Sequence, residues 1–419
     1  MMTVEGRKND RLKISQFIFS LIAFLITTIS AASCFAGGLL FRTTFGFSME
    51  EAKPLLSLGS MGVLLALIHF SALVNALKEP TLSKTTANTK INSFILASGA
   101  LFCWAVVLIL TYFHIGEQFF NAIQSYLTPL EIWIPIWWFV EFGKRNLPRI
   151  TARKRSAALS LGSSYTVLLI ISLELIVIAL IIAGVLLYLN TQPQIQQWLK
   201  TITISQDLTQ VDEQFLERYI VVLFQNPWFL AVVFLVIGII APFIEESLKP
   251  MVIWALRKRT LSPSQGFVLG LYFGAAFALI ENAGMIIQLG SESLVENILL
   301  RASTALLHVT CSGLVGCGYV RSMQPGENSA FLKPLLTAFL LHGMWNSLAA
   351  LFSLSSFSSQ LNINWLFSPI WKTVFTIAVI LEWMVILFLL WKKNIKLKKE
   401  IQVEAHRNSE DGVLMNEVE

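Results

Sequence analysis

Charge is scarce in this chain. Only 14% of its 419 residues are Asp, Glu, Lys or Arg, against 55% hydrophobic residues and a mean hydropathy of +0.66. Such values exclude an ordinary soluble globular protein. Cysteine is scarcer still: Cys34, Cys103, Cys311 and Cys317 each lie inside an apolar segment, with no disulfide or metal spacing. A disulfide framework is therefore excluded, and the four read as small packing residues. The HExxH signature of helix-borne zinc proteases is absent, and no internal repeat is present. The formal charge of +5 comes from short basic clusters at the ends of apolar runs, a pattern of membrane topology and anionic headgroups that gives no case for nucleic acid.

Long apolar runs are what the sequence has in quantity. A membrane-spanning helix needs about 20 mainly apolar residues. Runs of this kind fall at 14–40, 55–77, 93–113, 128–142, 157–189, 228–256, 266–289, 298–320, 330–354 and 370–391. They predict an all-α polytopic membrane protein of about ten transmembrane helices. Nine is the rival count, because the fourth run is short and holds Pro129, Glu131 and Pro135. The first run is too long for a cleaved signal, whose apolar region is roughly 7 to 15 residues, and reads as an anchor.

Loop charge orients the runs, since positive loops stay on the cytoplasmic side. Ten helices threaded from a cytoplasmic N-terminus place five sets of basic residues inside. These are Arg7, Lys8, Arg11 and Lys13; Lys78, Lys84 and Lys90; the cluster from Lys144 to Arg155; Arg257, Lys258 and Arg259; and Lys392 to Lys399. Acidic loops with Asp207, Asp212 and Glu213, or with Glu292 and Glu296, fall outside. Both termini are expected in the cytoplasm. The layout predicts an N-terminal module of about five helices over 1–217 ending in an external polar loop, then a four-helix core over 218–354. A last helix and a charged tail occupy 355–419.

Ionisable residues inside apolar runs are costly and are functional candidates by default. Glu245 and Glu246 stand together in the sixth run, followed one turn later by Lys249; the next three runs add Glu281 with Asn282, then His308, then His342 with Asn346. At about 1.5 Å of rise per residue, all four positions fall near mid-membrane. Residues four apart share a helix face, which pairs Glu245 with Lys249, Phe277 with Glu281, His308 with Ser312, and His342 with Asn346. Pro242 and Pro250 bracket the glutamates and predict a helix opened around them. Gly266, Gly270, Gly274 and Ala278 form a small-residue ridge that admits a close neighbour. The plain alternative is a structural ion pair of Glu245 and Lys249, with histidines and asparagines that only pack. One lysine, however, leaves two further carboxylates in need of a proton, a histidine, a metal or water. His69, His114 and Glu174, in the N-terminal half, suit plain packing roles.

At these residues the sequence resembles the PrsW family of intramembrane proteases, itself related to the CAAX-prenyl endopeptidases. The stretch Ala241-Pro242-Phe243-Ile244-Glu245-Glu246-Ser247-Leu248-Lys249 fits the family's EExxK, Phe277 to Glu281 fits FxxxE, and His308 with the pair His342 and Asn346 fit two later histidine motifs. The CAAX branch carries EExxxR and FxxxH, where Pro250 and Glu281 stand here. One departure is Met285 in place of the tyrosine of ENxxY. The resemblance covers roughly 241–346.

The resemblance implies peptide-bond hydrolysis in or near a bacterial cell membrane. Glu245, Glu246, Glu281, His308 and His342 would be catalytic, and Lys249, Phe277, Asn282 and Asn346 supporting. Hydrolysis needs a base for water and donors for the oxyanion. One of Glu245 and Glu246 would serve as base while Lys249 balances the other, and the histidines and Asn346 would orient water or donate. No cofactor is favoured; the competing version holds zinc on His308, His342 and Glu246, with an open position for water. The expected partners are the lipid bilayer and a membrane-protein or peptide substrate such as a single-pass anti-sigma factor. Two readings from other classes compete: a proton-coupled or cation transporter and an inactive scaffold. Transporters often place interrupted helices in two related halves, whereas here every candidate lies in one half.

Overall fold

A computed structural model gives the architecture. It describes residues 4–44, 48–78, 92–189, 226–250, 261–285, 294–356 and 369–416, with the single positions 46, 224 and 253. The loop 190–217, Lys84, Lys90, Arg257, Lys258, Arg259 and Glu292 lie outside the described residues. Helices α1 (Val4–Thr43), α2 (Met49–Leu77), α3 (Ser93–Tyr112) and α4 (Glu117–Gly143) come first. Next, α5 (Ala152–Leu161) runs through a π turn at Gly162–Thr166 into α6 (Val167–Leu189). In the same way α7 (Pro227–Leu235) runs through a π turn at Val236–Ile240 into α8 (Ala241–Leu248). The order ends with α9 (Pro263–Met285), α10 (Leu294–Arg321), α11 (Leu332–Ser356) and α12 (Pro369–Asn416). No strand occurs among the described residues.

Short polar residues ahead of the apolar runs start these helices. Ser48 and Glu51 close a capping box before α2, Asn92 accepts from the Phe94 N–H before α3, and Asn226 caps α7 with Pro227 in its first turn. Each satisfies backbone donors that the first helical turn leaves unpaired. Among the described residues, nine helices are long and apolar enough to cross a membrane, so this is an all-α, multi-pass membrane protein. The ten-run count loses α4. Its 27 residues suffice in length, but Glu131, Glu141, two prolines and three tryptophans dilute its apolar character.

Two compact units are distinguished. The first comprises 1–167, 246–338 and 385–419. In it α9 packs along α10, and α4 lies against both and against α2 and α3. The approach of α9 to α10 is a small-residue contact. A Cβ on Gly270 would sit 2.1 Å from the Ser312 carbonyl oxygen, and one on Gly274 would sit 2.2 Å from that of His308. The ridge visible in the sequence is thus the surface that seats α10, and His308 with it. At the end of α4, Lys144 donates to the Tyr272 hydroxyl of α9 at 2.7 Å. Asn394 of α12 donates to the Gly143 and Arg145 carbonyls at 2.6 and 3.0 Å, satisfying a helix end whose carbonyls lack intrahelical partners. Leu390 and Leu397 are buried on the same face of α12 as Asn394. His69 has a packing role: its Nδ1 lies 2.8 Å from the Ser160 hydroxyl, which is itself 3.3 Å from that of Ser20.

The second unit comprises 168–245 and 339–384. Here the π turn before α8 crosses α11 at two glycines, and a Cβ on Gly343 would meet the Gly238 carbonyl oxygen at 2.2 Å. Phe375 of α12 packs with Leu348, Leu351 and Phe352 of α11.

Gly270→Val therefore forces α9 from α10 and is expected to lower stability by about 1–3 kcal/mol. Gly284→Ala, at a position with nothing within 4 Å, is expected to leave it unchanged. Thermal unfolding of both variants in detergent micelles checks the contrast.

Candidate active site

Proline chemistry shapes the segment that carries the glutamates. Pro242 stands in the first turn of α8 and lacks the N–H that would ordinarily bond the Gly238 carbonyl four residues back. The helix opens there into the π turn at Val236–Ile240. Asn346 of α11 donates its side-chain amide to the Ile237 carbonyl at 3.0 Å within that turn. Pro250 follows the other end of α8, so Lys249 sits in the turn just beyond Leu248. The eight-residue helix between these breaks presents Glu245 and Glu246.

In the first unit the Lys249 ammonium is the centre of a buried relay. It donates to Glu246 Oε1 at 2.7 Å, lies 2.9 Å from His308 Nδ1, and stands 4.0 Å from the centroid of the Phe277 ring. Glu246, Lys249 and His308 are 0%, 1% and 1% exposed. An ammonium has only donors to offer, so Nδ1 of a neutral His308 accepts; the ring proton then belongs to Nε2. Nε2 donates it to Glu281 Oε2, whose carboxylate also meets Arg301 Nη1 at 3.4 Å. Phe277 packs edge-on against His308 with ring centroids 4.9 Å apart. The chain of groups is Glu246, Lys249, His308, Glu281 and Arg301, with charges that alternate around a neutral imidazole. The same face spacing that pairs Glu245 with Lys249 in the sequence places Glu246 one turn from that lysine, and the hydrogen-bonded pair is Glu246 with Lys249.

In the second unit, His342 Nε2 lies 3.8 Å from Glu245 Oε2, and both residues are buried. Asn282 joins neither group: both atoms of its buried side-chain amide lack a hydrogen-bond partner among the described residues. Arg301 is the residue the sequence reading missed. The signal was present, since it is a charge inside an apolar run, seven residues and two turns before His308 on α10.

Residues 175–381, close to half of the chain, match the family model described as PrsW family intramembrane metalloprotease. This stretch is a PrsW family domain. No curated protein and no solved structure matches it. Every residue of the relay lies within the PrsW match, as do Glu245 and His342, so the polytopic chain carries an intramembrane peptidase domain whose substrates are membrane proteins. Each unit offers a buried carboxylate and imidazole of the kind a zinc ion takes, Glu246 with His308 in the first and Glu245 with His342 in the second. Both His308 nitrogens are engaged, by Lys249 and by Glu281, so an ion reaches this PrsW histidine only in exchange for one of those bonds.

Lys249→Met strands the Glu246 carboxylate in a site sealed from water. Breaking a buried pair from one side is expected to cost on the order of 3 kcal/mol. Adding Glu246→Gln is expected to recover part of that loss. Denaturation of the single and double variants in micelles checks this; a double variant no more stable than Lys249→Met alone contradicts the pairing.

Proposed function

We propose that this protein is an endopeptidase that hydrolyses peptide bonds of membrane-protein substrates by glutamate-activated water. The observation that carries the reading is the buried relay from Glu246 through Lys249 and His308 to Glu281, placed inside the PrsW-matched region. Lys249 is already committed to Glu246, which makes Glu246 an electrostatic anchor. Glu245, beside His342, is then the general base: it takes a proton from water as the oxygen attacks the carbonyl carbon, and that proton passes to the leaving nitrogen. The donor that meets the developing oxyanion is His342, in the same unit as Glu245. Glu281 fixes the His308 tautomer. Phe277 shields the ammonium and the imidazole from water, and Asn346 serves the opened helix through its bond to Ile237.

We favour this metal-free division because the ammonium occupies the cation position between Glu246 and His308. In a zinc-loaded form, Glu246, His308 and His342 would hold the ion, which supplies Lewis-acid polarisation of water. The substrate class we favour is a single-pass membrane protein of the anti-sigma kind, cut in a signalling cascade. In this reading both termini lie in the cytoplasm of a bacterial cell; the basic loops support that topology, which requires α4 to cross the membrane together with the nine more apolar helices.

The experiment is cleavage of single-pass membrane peptides by the purified full chain in detergent, alongside Glu245→Gln and Glu246→Gln variants, with bound zinc measured on the same samples. Each variant is expected to lose at least about a hundredfold in kcat, with zinc well below one ion per chain. Unchanged cleavage in both folded variants would overturn the assignment, and stoichiometric zinc would overturn its metal-free form.

A further inference from the structure

Beyond the relay, the first unit contains a small cavity of about 20 Å³ whose walls combine polar and apolar side chains. Thr128 and Glu131 of α4, Asn282 of α9, and Asn297 and Arg301 of α10 line it. Asn282 is 3% exposed, and both its amide nitrogen and its amide oxygen are buried with no hydrogen-bond partner among the described residues. An amide left in that state is costly, because its lost contacts with water are not replaced. A cavity needs roughly 10–15 Å³ to hold one water, and that water needs two to four polar partners. This one has the volume, and the residues that line it carry donors and acceptors together: the Asn282 amide, the Glu131 carboxylate and the Arg301 guanidinium. The mixture suits water better than an ion of either sign.

We infer that this cavity is a water site, in which one ordered water bridges Asn282, Glu131 and Arg301, and that Glu131 and Asn282 are positioning residues acting on Glu281 through Arg301. The Arg301 guanidinium meets Glu281 Oε1 at 3.4 Å, and Arg301 lines the cavity together with Glu131. Glu131 is buried and also accepts from the Gln124 side chain at 3.1 Å. A water held between them fixes the guanidinium, the guanidinium fixes Glu281, and Glu281 holds His308. Helix α4 lies before residue 175, so a segment outside the PrsW match completes the support of the site. The positioning role rests on the peptidase reading above; the water site does not.

Radiolytic labelling in ¹⁸O-water separates the two, because ordered internal water labels side chains that bulk water does not reach. The buried Ile132 and Ile298, which also line the cavity, are expected to label in the wild-type full chain. They are expected to fall to background in Asn282→Leu, which fills the space and removes the amide, and to label still in Asn282→Ser. An unlabelled wild type, or labelling unchanged in Asn282→Leu, overturns the water site. In peptide cleavage, Glu131→Gln and Asn282→Leu are expected to lower kcat by at least about tenfold with KM unchanged, and Asn282→Ser to restore most of it. Unchanged kcat in labelled, active protein overturns the positioning role. Labelled wild type that cleaves no peptide leaves the water site standing and counts against the peptidase reading.

Discussion

The Lys249 ammonium, with almost none of its surface reachable by water, constrains everything around it. An isolated ammonium in an apolar interior costs far more than the fold could supply, so it is held by a carboxylate, an imidazole and an aromatic face at once. Each partner comes from a different place: Glu246 from α8, His308 from α10 and Phe277 from α9. Meeting that demand fixes the rotation of three helices about their axes. The glycine seam between α9 and α10 allows it, because a larger residue at Gly274 would push the His308 backbone away.

Much of this was legible in the sequence because bilayers punish charge. A glutamate pair, a lysine and two histidines within apolar runs stand out against a background where such residues are rare, and depth followed from the helix rise. The small-residue ridge was legible for the same reason, since close backbone approach needs glycine at regular spacing. Lateral pairing was less so. Face spacing matched Glu245 to Lys249, yet the lysine lies past the end of α8, where helical periodicity stops, and its bond goes to Glu246. Arg301 went unnoticed because it enters Glu281 from a neighbouring helix, and spacing along one chain segment says nothing about contacts between segments. The helix count differed at α4, where two prolines, two buried glutamates and three tryptophans give a helix with mixed apolar and polar faces.

That mixture has its own logic. Glu131 lines a cavity with residues of α9 and α10, whereas Glu141 accepts from Ser93 of α3, so α4 carries buried polar side chains toward several neighbours. Its C-terminal end is tied to α9 through Lys144 and to α12 through Asn394. The PrsW match begins at residue 175, but the packing of the first unit does not respect that boundary.

The two ion pairs of the relay differ in one respect that bears on biogenesis. Glu246 and Lys249 are three residues apart and neutralise each other within a single segment, so that segment enters the bilayer carrying its counter-charge with it. Glu281 and Arg301 sit on consecutive helices, and neither α9 nor α10 is neutral alone. The cheapest route for these two is to partition together as a hairpin, which makes the loop between them a determinant of insertion as well as a connection.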